Sequence, residues 1–154
     1  MIEKKGNIWL SGADAICVTT NGNVKANGEA VMGRGIALEA AKYLPQLPKF
    51  LGDCIKKSGN HVYLFEIKQE AITHWNPDLI TFPTKNHWMD DSDRVLILQS
   101  ALELVKLSLE HTEWKRIAIP RPGCGNGRLN WELDVKPTLD LIFLEDKFEI
   151  WRLK

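Results

Sequence analysis

Arg116-Ile117-Ala118-Ile119-Pro120-Arg121-Pro122-Gly123-Cys124-Gly125-Asn126-Gly127-Arg128-Leu129-Asn130-Trp131 is the stretch from which the architecture can be read. Its first five residues form a short apolar, β-branched run of the kind that makes a buried strand. The glycines that follow let the backbone approach a ligand. Leu129-Asn130-Trp131 reads as the entry to a helix, whose free N–H groups and positive dipole end attract anions. Strand, glycine loop and helix in that order predict an anion cradle, best suited to phosphate. The same residues also read as a tight surface turn, because a lone glycine-rich loop is a weak signal.

A second unit of this kind lies upstream. Asp14 to Thr20 is a short strand closed by the Asn21-Gly22 turn, and a polar, glycine-rich loop runs from Asn23 to Gly35. Ile36, Ala37, Ala40, Ala41 and Leu44 then recur at helical spacing until Pro45. Pro48 suits the first turn of a further helix, with Phe50, Leu51, Cys54 and Ile55 on one face and Gly59 beyond. Val62 to Phe65 and Leu79 to Phe82 are strand candidates. Ser92 is expected to cap a long helix through about Leu109, with Val95, Leu98, Leu102, Val105 and Leu109 packed on a sheet. A helix from about Asn130 to Leu144 and a strand at Phe148 to Leu153 follow the first loop. Strands alternating with helices predict a three-layer α/β/α sandwich on a mixed, mostly parallel sheet. Ligands of such sheets bind beyond the carboxyl ends of the strands, where both glycine loops sit, so one crevice is expected to receive both.

The totals set bounds on function. A chain of 154 residues suits one domain, residues 1–154, burying roughly 70% of its unfolded surface. Lys plus Arg and Asp plus Glu are equal at 20 each, so any polyanion must be recognised locally. Three cysteines without a C-x-x-C pair fit a reducing cytoplasm and give no zinc site; no metal cluster or cofactor is expected. The N-terminal residues lack the apolar core of a signal peptide, and no run approaches the ~18 apolar residues of a membrane span. A cytoplasmic protein off the membrane is expected. Neutral charge and the lack of an obvious exposed apolar stripe predict a monomer.

Several residues suit chemistry. Backbone amides from the Gly33-Arg34-Gly35-Ile36 loop and from Gly123 to Gly127 would grip two phosphates better than one. Neither loop is a nucleoside-triphosphate loop or a dinucleotide fingerprint. Cys124 and Arg128 suggest a cysteine phosphatase, but their spacing is too short for that loop, and Cys124 reads as a small residue filling a turn. Lys85, just past a strand end in Thr81-Phe82-Pro83-Thr84-Lys85-Asn86-His87-Trp88, is either a solvated charge or an amine held in a cleft. In a cleft, or near a cation such as Arg34, its pKa falls and the neutral amine becomes a nucleophile. His87 then relays a proton, or is simply a structural histidine. Trp75, Trp88 and Trp131 lie in loop-like contexts and either stack on a base or ribose or pack the core. Lys25, Arg34, Lys85, Arg121 and Arg128 are the cations expected nearest the crevice.

With these pieces in place the chain resembles a macrodomain, the ADP-ribose-binding fold. The resemblance rests on Gly6-Asn7-Ile8, Asp14-Ala15-Ile16, Asn21, Met32-Gly33-Arg34-Gly35-Ile36-Ala37, and Ile119-Pro120 through Trp131. Phe82-Pro83-Thr84-Lys85-x-His87-Trp88 and Gly-Cys-Gly-x-Gly-x-Leu-x-Trp look most like the DarG antitoxin branch, which removes ADP-ribose from thymidine in DNA. A related branch, terminal ADP-ribose protein glycohydrolase, removes it from glutamate.

The resemblance implies that Gly33, Arg34, Gly35, Ile36 and Ala37 line the distal ribose and diphosphate. Pro120, Gly123, Cys124, Gly125, Asn126 and Gly127 then wrap the diphosphate, Asn21 lies near the distal ribose, and Asn7 and Ile8 lie at the adenine. Lys85 matches the family's catalytic lysine, with His87 beside it, and would attack the anomeric carbon. Asn7 stands where many macrodomains carry an aspartate for adenine. Gly127 stands where the protein-directed branch has an aspartate, which favours DNA as the acceptor. Val18 replaces the first asparagine of the family's N-A-A-N strand end. The implied ligand is ADP-ribose or an ADP-ribosylated macromolecule, with an ADP-ribosyltransferase toxin as a functional counterpart. A non-catalytic ADP-ribose-binding module and an ADP-ribose 1''-phosphate phosphatase remain as alternatives.

Overall fold

Alternating side chains divide the core into two halves. In the computed structural model, which describes residues 1–65 and 77–154, Ala15 and Cys17 of one central strand point to one face, and Ile16 and Val18 to the other. Ile80 and Phe82 oppose Leu79, and Ile117 and Ile119 oppose Ala118, in the same way. Strands buried on both faces need helices on both faces, and the sheet has them.

The strands are β1 (Ile2–Gly6), β2 (Ala15–Asn21), β3 (Tyr63–Phe65), β4 (Asp78–Lys85), β5 (Ile117–Pro120) and β6 (Phe148–Leu153), in the sheet order β1-β6-β5-β2-β4-β3. Every pairing is parallel except β3 with β4. Helices α1 (Gly35–Tyr43) and α2 (Leu47–Ser58) cover one face; α3 (Arg94–Glu110) and α4 (Lys136–Ile142) cover the other. The three-layer, mostly parallel sandwich expected from the sequence is what forms. Trp75, one of the loop tryptophans considered above, lies outside the described residues.

Three local expectations are corrected. The cap of α3 is Asp93, whose Oδ1 accepts the N–H groups of Val95 (2.8 Å) and Leu96 (3.3 Å); Ser92 is buried one residue earlier. The face of α3 on the sheet is Leu96, Ile97, Ser100, Ala101, Leu104 and Ser108, whereas Val95, Leu98, Leu102 and Leu109 are 37 to 66% exposed. Ser100, Ala101 and Ser108 sit among the larger Leu96, Ile97 and Leu104 on that face, and the Ser100 hydroxyl donates to the Pro83 carbonyl of β4 at 2.7 Å. The exposed stripe also removes one of the two grounds on which a monomer was expected, leaving the neutral charge. Finally, the helix expected from Asn130 opens as a wide turn over Trp131–Val135 before α4. Asn130 accepts from the Leu133 N–H (3.0 Å), and Asp134 accepts from the Asn130 N–H (2.7 Å), a reciprocal cap that fixes the exit of the second glycine loop.

Candidate functional site

Parallel strands place their carboxyl ends on one edge, and here the ends of β2, β4, β5 and β6 open onto a cleft of about 960 Å³. Both glycine loops line it, as the sequence predicted. They meet across it: a Cβ built on Gly35 would stand 3.5 Å from Asn126 Nδ2.

The first loop enters α1 through Arg34, which is extended and makes no side-chain cap, and Gly35 at φ +54°. The first-turn N–H groups of α1 are therefore left for a ligand. In the second loop the glycines serve two purposes. Gly123, at φ +74°, and Gly127 are packed from behind, Gly123 by Ile97, Ser92 and Leu129, and Gly127 by the Ser92 hydroxyl and the Gly123 carbonyl. At Gly125, as at Gly33, an added Cβ meets nothing within 4 Å. Two glycines thus permit packing, and two leave backbone open to the cleft.

Three buried side-chain polar atoms among the described residues have no hydrogen-bond partner in the protein: Thr20 Oγ1, Ser92 Oγ and Arg121 Nε. All three residues line this cleft. An unpaired buried polar group costs about 1–3 kcal/mol, so the wall of this cleft carries polar atoms that the protein itself leaves unsatisfied. Thr20 and Ser92 were missed in the sequence, Thr20 because it ends an apolar strand and Ser92 because it resembles a cap.

Lys85 ends β4 as the register partner of Asn21, where the β2 register shifts. Its half-buried amine donates to the Asp90 carbonyl at 3.2 Å and lines the cleft. Burial first, and then the charge of Arg34, lower its pKa below the ordinary 10.5; Arg128 adds to this, and Asp90 and Asp91 oppose it. Asn21 spends both ends of its amide on the first loop, donating to the Val31 carbonyl (3.0 Å) and accepting from the Asn23 N–H (2.9 Å). Ile36, Ala37, Pro120 and Cys124 also line the cleft. Burial pushes the Cys124 thiol up to about 11, which leaves it protonated at neutral pH and unsuited to attack phosphorus.

Other expected residues lie elsewhere. His87 is exposed and does not line the cleft; its ring lies against Trp88, and its Nδ1 accepts the Met89 N–H at 3.2 Å. Asn7 and Ile8 are also outside the lining. Asn7 caps a short turn by accepting the Trp9 N–H (3.0 Å), and Ile8 is buried in the core. Lys25 is not among the lining cations, whereas Arg152 is. Arg121 is clamped with its guanidinium over Trp131 (4.9 Å) and bonded to Glu3 (3.1 Å). Glu3 also accepts from Trp131 Nε1 (2.8 Å) and Lys136 Nζ (2.9 Å), so one carboxylate on β1 ties down both ends of the second loop. The Lys136 hydrogen bond, helped by those of Trp131 and Arg121, keeps that carboxyl below 4.5 although burial raises it. Among the described residues no group of three His, Cys, Asp or Glu is placed to hold a metal, and no helix is long and apolar enough to cross a membrane.

This six-stranded sandwich, with two glycine loops over one cleft, has the macrodomain fold. No protein-family model matches the chain. The DNA ADP-ribosyl glycohydrolase of Mycobacterium tuberculosis is 28% identical over 113 residues, which are 73% of this chain and 32% of that protein. The chain thus spans about a third of the length of the curated relatives it matches. The macrodomain of Mycobacterium tuberculosis DarG superposes with a TM-score of 0.80 at 26% identity, covering 97% of this chain and 95% of that one. Thermosipho africanus DarTG in complex with ADP-ribose gives 0.79 at 25% identity, covering 99% of this chain and 42% of that one. The chain is thus similar in fold and sequence to DarG macrodomains.

Proposed function

We propose that the cleft binds ADP-ribose and that the protein is an ADP-ribosyl glycohydrolase with Lys85 as its nucleophile. The observation that carries this is a half-buried amine of lowered pKa in the same cleft as two backbone-lined anion loops. The neutral Lys85 amine attacks the anomeric carbon, and the bond to the acceptor breaks with its electron pair leaving on the acceptor atom. The proton shed by the alkylated amine neutralises that atom, directly or through water. Water then adds to the anomeric carbon and the nitrogen–carbon bond breaks, which restores the lysine and frees ADP-ribose. The names of the relatives, DNA ADP-ribosyl glycohydrolases, support the reaction class.

We take the acceptor to be thymidine in DNA rather than protein glutamate. Gly127 has no room for the aspartate of the protein-directed branch, because a side chain there collides with Ser92 and the Gly123 carbonyl. A relative described as a DNA ADP-ribosyl transferase and DNA ADP-ribosyl glycohydrolase fusion supports functional pairing with a transferase. The three free thiols suit a reducing cytoplasm.

The test is hydrolysis of ADP-ribosylated single-stranded DNA, glutamate-linked protein and O-acetyl-ADP-ribose in parallel, by the protein and by Lys85→Ala. Turnover of the DNA substrate should be lost in Lys85→Ala while affinity for free ADP-ribose is largely kept. Undiminished hydrolysis by the variant would remove the mechanism; binding without cleavage of any substrate would leave a reader module.

A further inference from the structure

Trp88 stands at the mouth of the cleft, 42% exposed, while Trp114 and Trp131 are buried. An indole in that position is held there by its surroundings. The Trp88 N–H donates to Asn23 Oδ1 at 2.7 Å, which ties its turn to the loop after β2. His87 supports the ring from the side, at 6.0 Å between centroids and 25° between planes. The same turn carries Asp90, whose carbonyl accepts from the Lys85 amine, so one hydrogen-bonded turn links the indole to the proposed nucleophile.

Arg34 lies over the indole with its guanidinium carbon 5.9 Å from the ring centroid. That distance is too wide for direct stacking. It is about 1 Å short of the two van der Waals gaps, about 7 Å together, that a flat ring between them would need. Among the described residues no carboxylate pairs with Arg34, so a small swing of its exposed side chain opens the slot. Guanidinium and indole are both surfaces on which nucleobases stack. The cleft wall is cationic, with Arg34, Lys85, Arg121, Arg128 and Arg152 against Asp90, although Asp91 opposes Arg128 at 3.7 Å. Those cations suit a phosphate whatever base it carries, so it is the stack that would distinguish one acceptor from another.

We infer that Arg34 and Trp88 form the two jaws of a subsite for a planar heteroaromatic acceptor, the base released when the ADP-ribosyl bond is cut. The inference rests on the glycohydrolase reading and adds the residues that select a base over a carboxylate. A glutamate acceptor offers no ring to the slot, whereas a thymine fills it.

The experiment compares Trp88→Ala and Trp88→Phe with the unaltered protein on an ADP-ribosylated single-stranded oligonucleotide and on O-acetyl-ADP-ribose. The ratio of the two kcat/KM values should fall about 5- to 150-fold in Trp88→Ala, the range for losing one base stack, and recover most of the way in Trp88→Phe. In the Lys85→Ala background, the affinity advantage of the modified oligonucleotide over free ADP-ribose should shrink by a similar factor when Trp88→Ala is added. An unchanged ratio, or equal losses on both substrates, would overturn the clamp. If the unaltered protein cleaves neither substrate, the hydrolase reading fails, and the binding comparison still decides the clamp. If free ADP-ribose does not bind, both fall.

Discussion

Gly125 and Gly127 are two residues apart in one loop, yet their replacement by alanine should have opposite consequences. A Cβ at Gly125 meets nothing within 4 Å, and its φ is not in the left-handed region. Gly125→Ala should therefore leave the fold intact, and by restricting the unfolded chain should stabilise it by about 0.4–1 kcal/mol. At about 2–4 °C per kcal/mol for a chain of this size, the melting temperature rises by roughly 1–4 °C. If this loop holds the diphosphate as proposed, the new methyl stands between it and the backbone. Losing or stretching one charge-assisted N–H contact costs about 1.5–3 kcal/mol, which weakens ADP-ribose binding about 10- to 150-fold. At Gly127 the methyl drives into the Ser92 hydroxyl and the Gly123 carbonyl. Backbone is one of the two obstacles, so Gly127→Ala should cost about 1–3 kcal/mol of stability. Thermal melts and titration calorimetry with free ADP-ribose separate the two effects. A Gly125→Ala protein that binds as tightly as the parent would refute the assignment of this loop to the diphosphate, as would a Gly127→Ala protein that melts unchanged.

Two further outcomes follow from the charged groups. If the neutral Lys85 amine is the nucleophile, kcat/KM should rise tenfold per pH unit and level off below pH 10.5; Arg34→Ala removes a lowering charge and should move that plateau to higher pH. The Glu3 carboxyl has a lowered pKa in the folded protein, so its contribution is present above pH 4.5 and lost as pH falls through the folded value. Acid melts of Glu3→Gln should lack that part of the pH dependence, and the same variant should loosen ADP-ribose binding through Arg121 and Trp131 even at pH 7; an unchanged acid profile would count against the tether.

The parts of the fold legible in the sequence were those whose physics is local. β2 and β5 are apolar, β-branched runs that end at asparagine or proline, β6 keeps four apolar residues in six, and the glycine loops stand out by composition. β1 was not legible, because Glu3, Lys4 and Lys5 make an edge strand that reads as solvated chain. β4 was read only to Phe82, since Pro83 is a poor strand residue. It is tolerated because β3 pairs β4 only over Leu79 to Thr81, leaving Pro83 no ladder bond to lose on that side. The orientation of α3 was misread because apolar residues at three- and four-residue steps occur on two of its faces, and spacing alone cannot say which one the sheet receives. At the site, Lys85 and both loops were found from residue type and position. Thr20 and Ser92 became visible only through their unpaired atoms, which depend on packing between distant segments.

The start of α1 has a wider significance. A helix whose opening amides receive no side-chain cap obtains its cap from whatever anion sits beyond it. Ligand recognition and completion of that helix are then one set of bonds. Amide hydrogens at Ile36 and Ala37 should exchange more slowly once ADP-ribose is added, so that solvent deuterium would register occupancy in the backbone even for a variant that has lost all turnover.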